Sequence, residues 1–126
     1  MAHDIVADGL NMIKNANKAG KEFVKVTYIS NLLIEVLKIM KQSGAIKRYK
    51  INPKEKSVEV TIGEMFDCKS IKPRFTAKKG DLEEYRRRYL PSRKLGTLII
   101  STNKGLMTYE EAEKENIGGC LIAYFY

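Results

Sequence analysis

Residues 97–126 read TLIISTNKGLMTYEEAEKENIGGCLIAYFY and carry the clearest structural signal in the chain. Thr97-Leu98-Ile99-Ile100 is a nearly unbroken apolar run, short and rich in β-branched residues. It predicts a strand over Leu95–Ser101, buried on both faces. Thr108-Tyr109-Glu110-Glu111 places a hydroxyl at an N-cap and a glutamate three residues on, the pattern of a capping box. A short helix should run from there to about Asn116. Gly118-Gly119 then turns the chain into a last strand, Cys120–Tyr126. Residues 101–108 read as a tight polar loop between the buried strand and the capped helix.

Upstream, Lys69–Phe75 is a short strand candidate interrupted by Pro73, and Asp81–Leu90 is a polar helix stopped by Pro91. The first half has a different rhythm. Asp4 can cap a helix with Val6, Leu10 and Ile13 at helical spacing, ended by Asn15, Asn17 and Gly20. Phe23–Ile29 alternates as a strand, with Val24, Val26 and Tyr28 on one face. Ser30 is a good N-cap for a helix whose Leu33, Val36, Leu37 and Met40 form a core stripe before Gly44. Ile46–Ile51 and Val58–Ile62 read as strands joined by the polar turn Asn52-Pro53-Lys54-Glu55-Lys56. The expected fold is therefore α+β in two small lobes. Residues 1–64 form an α-β-α-β-β unit, and residues 65–126 a mostly-β lobe with short helices. The boundary falls near Gly63–Asp67.

The chain of 126 residues is 44% hydrophobic, enough for a real core, and its 23 Lys and Arg against 15 Asp and Glu leave a net charge of +8. That balance suits a polyanionic partner, although a basic soluble protein without one has the same composition. Location sharpens the point. Between Lys69 and Lys104 lie eleven Lys or Arg and three acids, Asp81, Glu83 and Glu84. A smaller basic run, Lys14, Lys18, Lys21 and Lys25, faces only Glu22. Two cysteines, Cys68 and Cys120, are too few for a disulfide scaffold, and no secretory signal is visible, so a cytoplasmic protein with reduced thiols is expected. Apolar runs are far short of the roughly 20 residues that cross a bilayer, so no membrane partner is expected.

Ser101-Thr102-Asn103-Lys104-Gly105 concentrates hydroxyls, an amide and a lysine. Hydroxyls both donate and accept, so they can read base edges and the RNA 2′-OH. Lys104 can meet a phosphate, and Gly105 lets the backbone approach closely. The competing reading is a polar turn whose hydroxyls cap its own backbone. A phosphate-handling enzyme loop is the weakest option. The second glycine and the lysine-hydroxyl order of a P-loop are missing, and no carboxylate cluster stands by to hold a metal. Arg86-Arg87-Arg88, with Arg93 and Lys94 beyond, is the densest basic cluster, interleaved with Tyr85 and Tyr89. A charge run is ordinarily a solvated helix face, yet arginine is the better phosphate and stacking residue, which favours RNA.

Enzymatic chemistry finds little support. His3 is the single histidine and lies next to the first residue, while Cys68 and Cys120 lack the spacing of metal ligands. No catalytic residue, metal, cofactor or small-molecule substrate is expected. The run Glu110, Glu111, Glu113, Glu115 reads as a solvated or protein-facing helix surface, so a protein-docking module remains a competing class.

Ser101 to Thr108, then Glu111-Ala112, then Gly118-Gly119 and an aromatic last strand through Tyr124, resembles the signature of the family of small-subunit ribosomal protein eight. The resemblance spans nearly the whole chain. Asp4, Leu10, Ile13 and Asn15 resemble the family's first helix, and Ser30 with the Leu-rich helix after it fits as well. Lys72-Pro73-Arg74-Phe75 and Leu90-Pro91-Ser92-Arg93 are similar to the archaeal and eukaryotic branch. Cys120 is a departure, since bacterial relatives carry a glutamate there and archaeal or eukaryotic ones often a basic residue. The resemblance implies a structural ribosomal protein, cytoplasmic on the ribosome. It would bind the central domain of small-subunit rRNA early in assembly and clamp an irregular helix between two lobes, beside neighbouring ribosomal proteins. It carries RNA contacts to Ser101, Thr102, Asn103, Lys104 and Gly105 in the C-terminal lobe. In the N-terminal lobe it carries them to Lys14, Asn15, Thr27, Ser30 and Asn31. Arg86, Arg87, Arg88 and Arg93 join them as phosphate contacts from charge density alone.

Overall fold

A computed structural model describes residues 5–71, 75–91 and 96–126. Asp4, Lys72-Pro73-Arg74 and Ser92-Arg93-Lys94-Leu95 lie outside the described residues, and with them the expected cap of the first helix. The chain is α+β and divides into two compact units, residues 1–69 and 70–126.

The first unit runs α1 (Ile5–Lys18), β1 (Phe23–Val26), α2 (Asn31–Ser43), β2 (Ile46–Asn52) and β3 (Ser57–Ile62). Its sheet has the order β1-β3-β2, antiparallel throughout. The helices bury Leu10 and Ile13 of α1 and Leu33, Leu37 and Met40 of α2 almost completely. Each such side chain contributes about 1.5–3 kcal/mol of burial free energy. Val58, Val60 and Ile62 of β3 alternate inward against them, and Glu59 points out. Ser30 caps α2, its Oγ accepting from the Leu33 N–H at 3.1 Å. Gly44 ends that helix at φ +89°, the left-handed conformation that lets Ala45 N–H return to the Met40 carbonyl at 3.0 Å. The β2–β3 turn is tied by Asn52 Oδ1, which accepts from Lys54 N–H at 3.2 Å and Glu55 N–H at 3.4 Å.

One strand is shorter than the alternation predicts. β1 stops at Val26 and not Ile29, because Val26 pairs with Val58 and the neighbouring β3 begins only one residue earlier, at Ser57. Without a ladder partner the chain leaves the sheet, and Tyr28 stands 62% exposed.

The second unit takes over within β4 (Cys68–Ser70), followed by β5 (Thr76–Ala77), α3 (Leu82–Tyr89), β6 (Thr97–Thr102), β7 (Gly105–Thr108), α4 (Tyr109–Glu115) and β8 (Gly119–Phe125). Sheet order is β4-β8-β6-β7, with β5 also paired to β8. Leu98, Ile99 and Ile100 are all fully buried, as the unbroken apolar run requires. Leu98 and Ile100 pack with Leu82, Tyr109, Ala112 and Leu121 in the core of this unit. A bulge in β8 lets Ile99 face Ala123 while Ile100 faces Leu121. Thr108 caps α4 through Oγ1, which accepts from Glu111 N–H at 3.3 Å.

The expected loop over 101–108 is a hairpin. Ile99 to Thr102 pairs with Thr108 to Gly105, and only Asn103-Lys104 forms the turn. Met107 is buried beside Ile100, so the segment after the turn has its own place in the core and continues the sheet.

Candidate nucleic-acid interface

The β6–β7 turn brings five sequence-predicted residues together. Ser101 and Thr102 end β6, Asn103 and Lys104 make the turn, and Gly105 opens β7. Gly105 sits at φ +112°, a conformation that costs a glycine little and resets the strand twist after the turn. Thr102 holds the turn from inside. Its hydroxyl donates to the Gly105 carbonyl at 2.8 Å and accepts from Lys104 N–H at 3.1 Å. The donor is thereby spent, and one lone pair remains. Ser101 Oγ and the Asn103 amide make no side-chain hydrogen bond among the described residues, and Asn103 is exposed. The turn thus offers a hydroxyl, an amide and an ammonium on a hydrogen-bonded frame. The self-capping reading holds for Thr102, which ties its own backbone, while Ser101 and Asn103 are left open.

Lys104 is not a bare cation. Its Nζ meets Glu115 Oε2, at the end of α4, at 2.6 Å. That ammonium, hydrogen-bonded and opposite in charge, holds the Glu115 carboxyl below its ordinary value.

The three arginines of α3 separate in role. Arg86 is 6% exposed and turned inward, with Nε and Nη2 both 3.0 Å from Glu83 Oε1. It lies near the buried Tyr109, whose phenol is raised above its ordinary 10.0 by burial and by the charge of Glu110. A phosphate contact from Arg86 would require that pair to open. Arg87 and Arg88 point to solvent, 70% and 58% exposed, in loose pairs with Glu83 at 3.9 Å and Glu84 at 3.5 Å. Arg93 lies outside the described residues. Tyr85 and Tyr89 are engaged internally. Tyr85 stacks with Phe75 at 6.2 Å and carries the Arg88 guanidinium over its ring at 5.3 Å, while Tyr89 stacks with Tyr124 at 5.3 Å.

In the first unit, Lys14 and Asn15 lie in the second half of α1. Lys14 Nζ pairs with Asp67 at 3.1 Å, and Asn15 is exposed. Thr27, Ser30 and Asn31 span the passage from β1 into α2, where Ser30 already serves as cap and Thr27 and Asn31 are exposed. No acidic residue occupies the first turn of α2, so the positive end of its dipole is left unneutralised. Asp67, Glu83 and Glu115, which hold Lys14, Arg86 and Lys104, were not among the candidate RNA-contact residues, Glu115 having been read only as part of an acidic helix surface. The i,i+3 spacing of Glu83 and Arg86 is readable along a helix. The other two pairs form only through tertiary folding.

Among the described residues no group of His, Cys, Asp and Glu could hold a metal ion, and no helix is long and apolar enough to cross a membrane. A family model described as Ribosomal protein S8 matches residues 4–126. The chain is 43% identical, over an alignment of 129 residues covering both chains entirely, to the small ribosomal subunit protein uS8 of Nanoarchaeum equitans. Proteins of the same name from Archaeoglobus fulgidus and Picrophilus torridus are 36% and 38% identical, again along the full length of each chain. These relatives are archaeal, in agreement with the archaeal and eukaryotic character of the segments around Pro73 and Pro91. With the family matched from residue 4 to residue 126 and such relatives collinear throughout, the chain belongs to the ribosomal protein S8 family, a family of ribosomal proteins and not of enzymes.

Proposed function

We propose that this chain is a structural constituent of the small ribosomal subunit that binds the central domain of small-subunit rRNA and helps that domain assemble. The observation that carries the reading is the β6–β7 turn. Ser101 and Asn103 hold unspent hydrogen-bonding groups in the same turn as Lys104, on a frame that Thr102 ties shut. RNA is recognised through 2′-OH groups, phosphates and unstacked base edges, and a hydroxyl, an amide and an ammonium on a rigid turn answer those three.

In this reading Ser101 and Asn103 read the RNA, Lys104 meets a phosphate, and Thr102 and Gly105 supply the frame. Arg87 and Arg88 contact phosphates through their exposed guanidinium groups, and Arg93 joins them from charge alone. The first unit contributes Lys14, Asn15, Thr27, Ser30 and Asn31, where the N-terminus of α2 favours an anion. Neighbouring ribosomal proteins are the other partners, on the cytoplasmic ribosome. Titration into a central-domain rRNA fragment at two salt concentrations, against a scrambled duplex, tests the proposal. Tight, competitor-resistant binding that survives the higher salt is expected. Equal, salt-sensitive binding to both RNAs would overturn it and leave docking to basic protein neighbours as the role to test.

A further inference from the structure

We infer that Glu115 determines the specificity of the RNA-binding turn: by holding the Lys104 ammonium it withholds that cation from phosphates in general. Binding then depends on the groups that Ser101 and Asn103 recognise. The inference rests on the proposed function and gives an RNA-related role to a residue that the sequence suggested only as part of an acidic helix surface.

Three observations carry it. The Lys104 Nζ to Glu115 Oε2 distance is 2.6 Å, a direct hydrogen-bonded ion pair. Stability does not account for the pair, because both side chains are about half exposed, at 58% and 47%, and exposed ion pairs contribute little. Glu115 is also the last residue of α4, where the negative end of the helix dipole disfavours a carboxylate. A charge that breaks a local rule without a stabilising return points to function.

The backbone that carries the carboxylate is held in place beside the turn. Thr108 both ends β7 and caps α4, and Tyr109 and Ala112 of that helix are buried. Glu115 is therefore coupled to the turn through one short, packed segment. A phosphate that approaches Lys104 meets the carboxylate as well, and the two negative charges repel. A duplex with nothing to offer Ser101 and Asn103 gains little at the turn. An RNA that satisfies them offsets the repulsion through hydrogen bonds.

The test compares Glu115→Gln, Glu113→Gln and the double variant Lys104→Gln/Glu115→Gln with the unmodified protein. Binding is measured to the central-domain fragment and to a scrambled RNA duplex, at two salt concentrations. Glu113 is an exposed glutamate on the same helix, so its variant makes the same charge change away from Lys104. Glu115→Gln should tighten duplex binding roughly five-fold and steepen its salt dependence by about one unit, as one added phosphate contact requires. The fragment should gain less, so discrimination narrows, and on the duplex the double variant should return to the unmodified slope. Equal effects of Glu113→Gln and Glu115→Gln would reduce the matter to net charge and overturn the inference. So would an equal gain on both RNAs, no gain at all, or persistence of the effect without Lys104. A protein that never preferred the fragment would overturn the proposed function itself, whereas a preference that Glu115→Gln leaves intact overturns this inference alone.

Discussion

Thr102 uses its hydroxyl twice within its own turn, so the proposed reading of RNA falls to its neighbours Ser101 and Asn103. Asn103→Ala should therefore weaken binding to the central-domain fragment by ~1–3 kcal/mol and leave the scrambled duplex and the thermal midpoint nearly unchanged. Fluorescence titration beside a melting curve separates the two. An equal loss on both RNAs would remove Asn103 from recognition. Cys68 carries a different prediction. It is fully buried, its Sγ donates to the Leu10 carbonyl at 3.4 Å, and burial pushes the thiol from 9.0 up to about 12. Between those values the unfolded chain has released a proton that the folded chain keeps. The group's contribution to stability is present below pH 9 and is lost as pH rises toward 12, at up to about 1.4 kcal/mol per pH unit. Urea midpoints at pH 8 and pH 10.5 should fall further in the unmodified protein than in Cys68→Ala. Parallel falls would mean that the thiol is not the source.

The elements show how far a local reading reaches. Ser30, Gly44, Thr108 and the stripe Leu33, Val36, Leu37, Met40 were legible because caps and helical spacing are written within a few residues of one another. Ser30→Ala should lower unfolding free energy by about 1 kcal/mol, since one helix N–H loses its acceptor, while Ser30→Gly should cost only a few tenths. Denaturant midpoints check both, and no loss in Ser30→Ala would mean that the Ser30 hydroxyl does not act as a cap. The end of β1 was not legible, because Thr27 to Ile29 alternate well enough and only the start of β3 at Ser57 ends the ladder at Val26. β7 escaped for a related reason. Gly105-Leu106-Met107-Thr108 is too short to show a period, and its strand character comes from pairing with β6 across a two-residue turn. In the candidate site, the positions of the Ser-Thr-Asn-Lys-Gly motif could be read directly. The partners that neutralise its cations could not, since Glu115 reaches Lys104 and Asp67 reaches Lys14 only when the chain has folded.

At the scale of the whole molecule, the 23 lysines and arginines overstate the cations on offer. Arg86 is bound inward to Glu83, Lys25 pairs with Glu55, and Lys14 and Lys104 each hold an acid. Arg87→Gln should lower the salt slope of RNA binding by about one unit on both RNAs. Arg86→Gln should leave the slope unchanged and instead cost about 2–4 kcal/mol of stability, because a buried guanidinium and its 3.0 Å contact with the partly buried Glu83 are lost. A slope that moves with Arg86 and not with Arg87 would reverse the assignment. The strand order has one more consequence, which belongs to the making of the protein. Every strand of the first sheet has been synthesised by residue 62. The second sheet is arranged around β8, which pairs with both β5 and β6 and is the last strand to leave the peptide tunnel. A nascent chain can therefore close its first sheet early, while the β6–β7 hairpin waits without its central neighbour. Translation itself then schedules the molecule, and the turn proposed to read RNA gains its full support only when Gly119–Phe125 emerges.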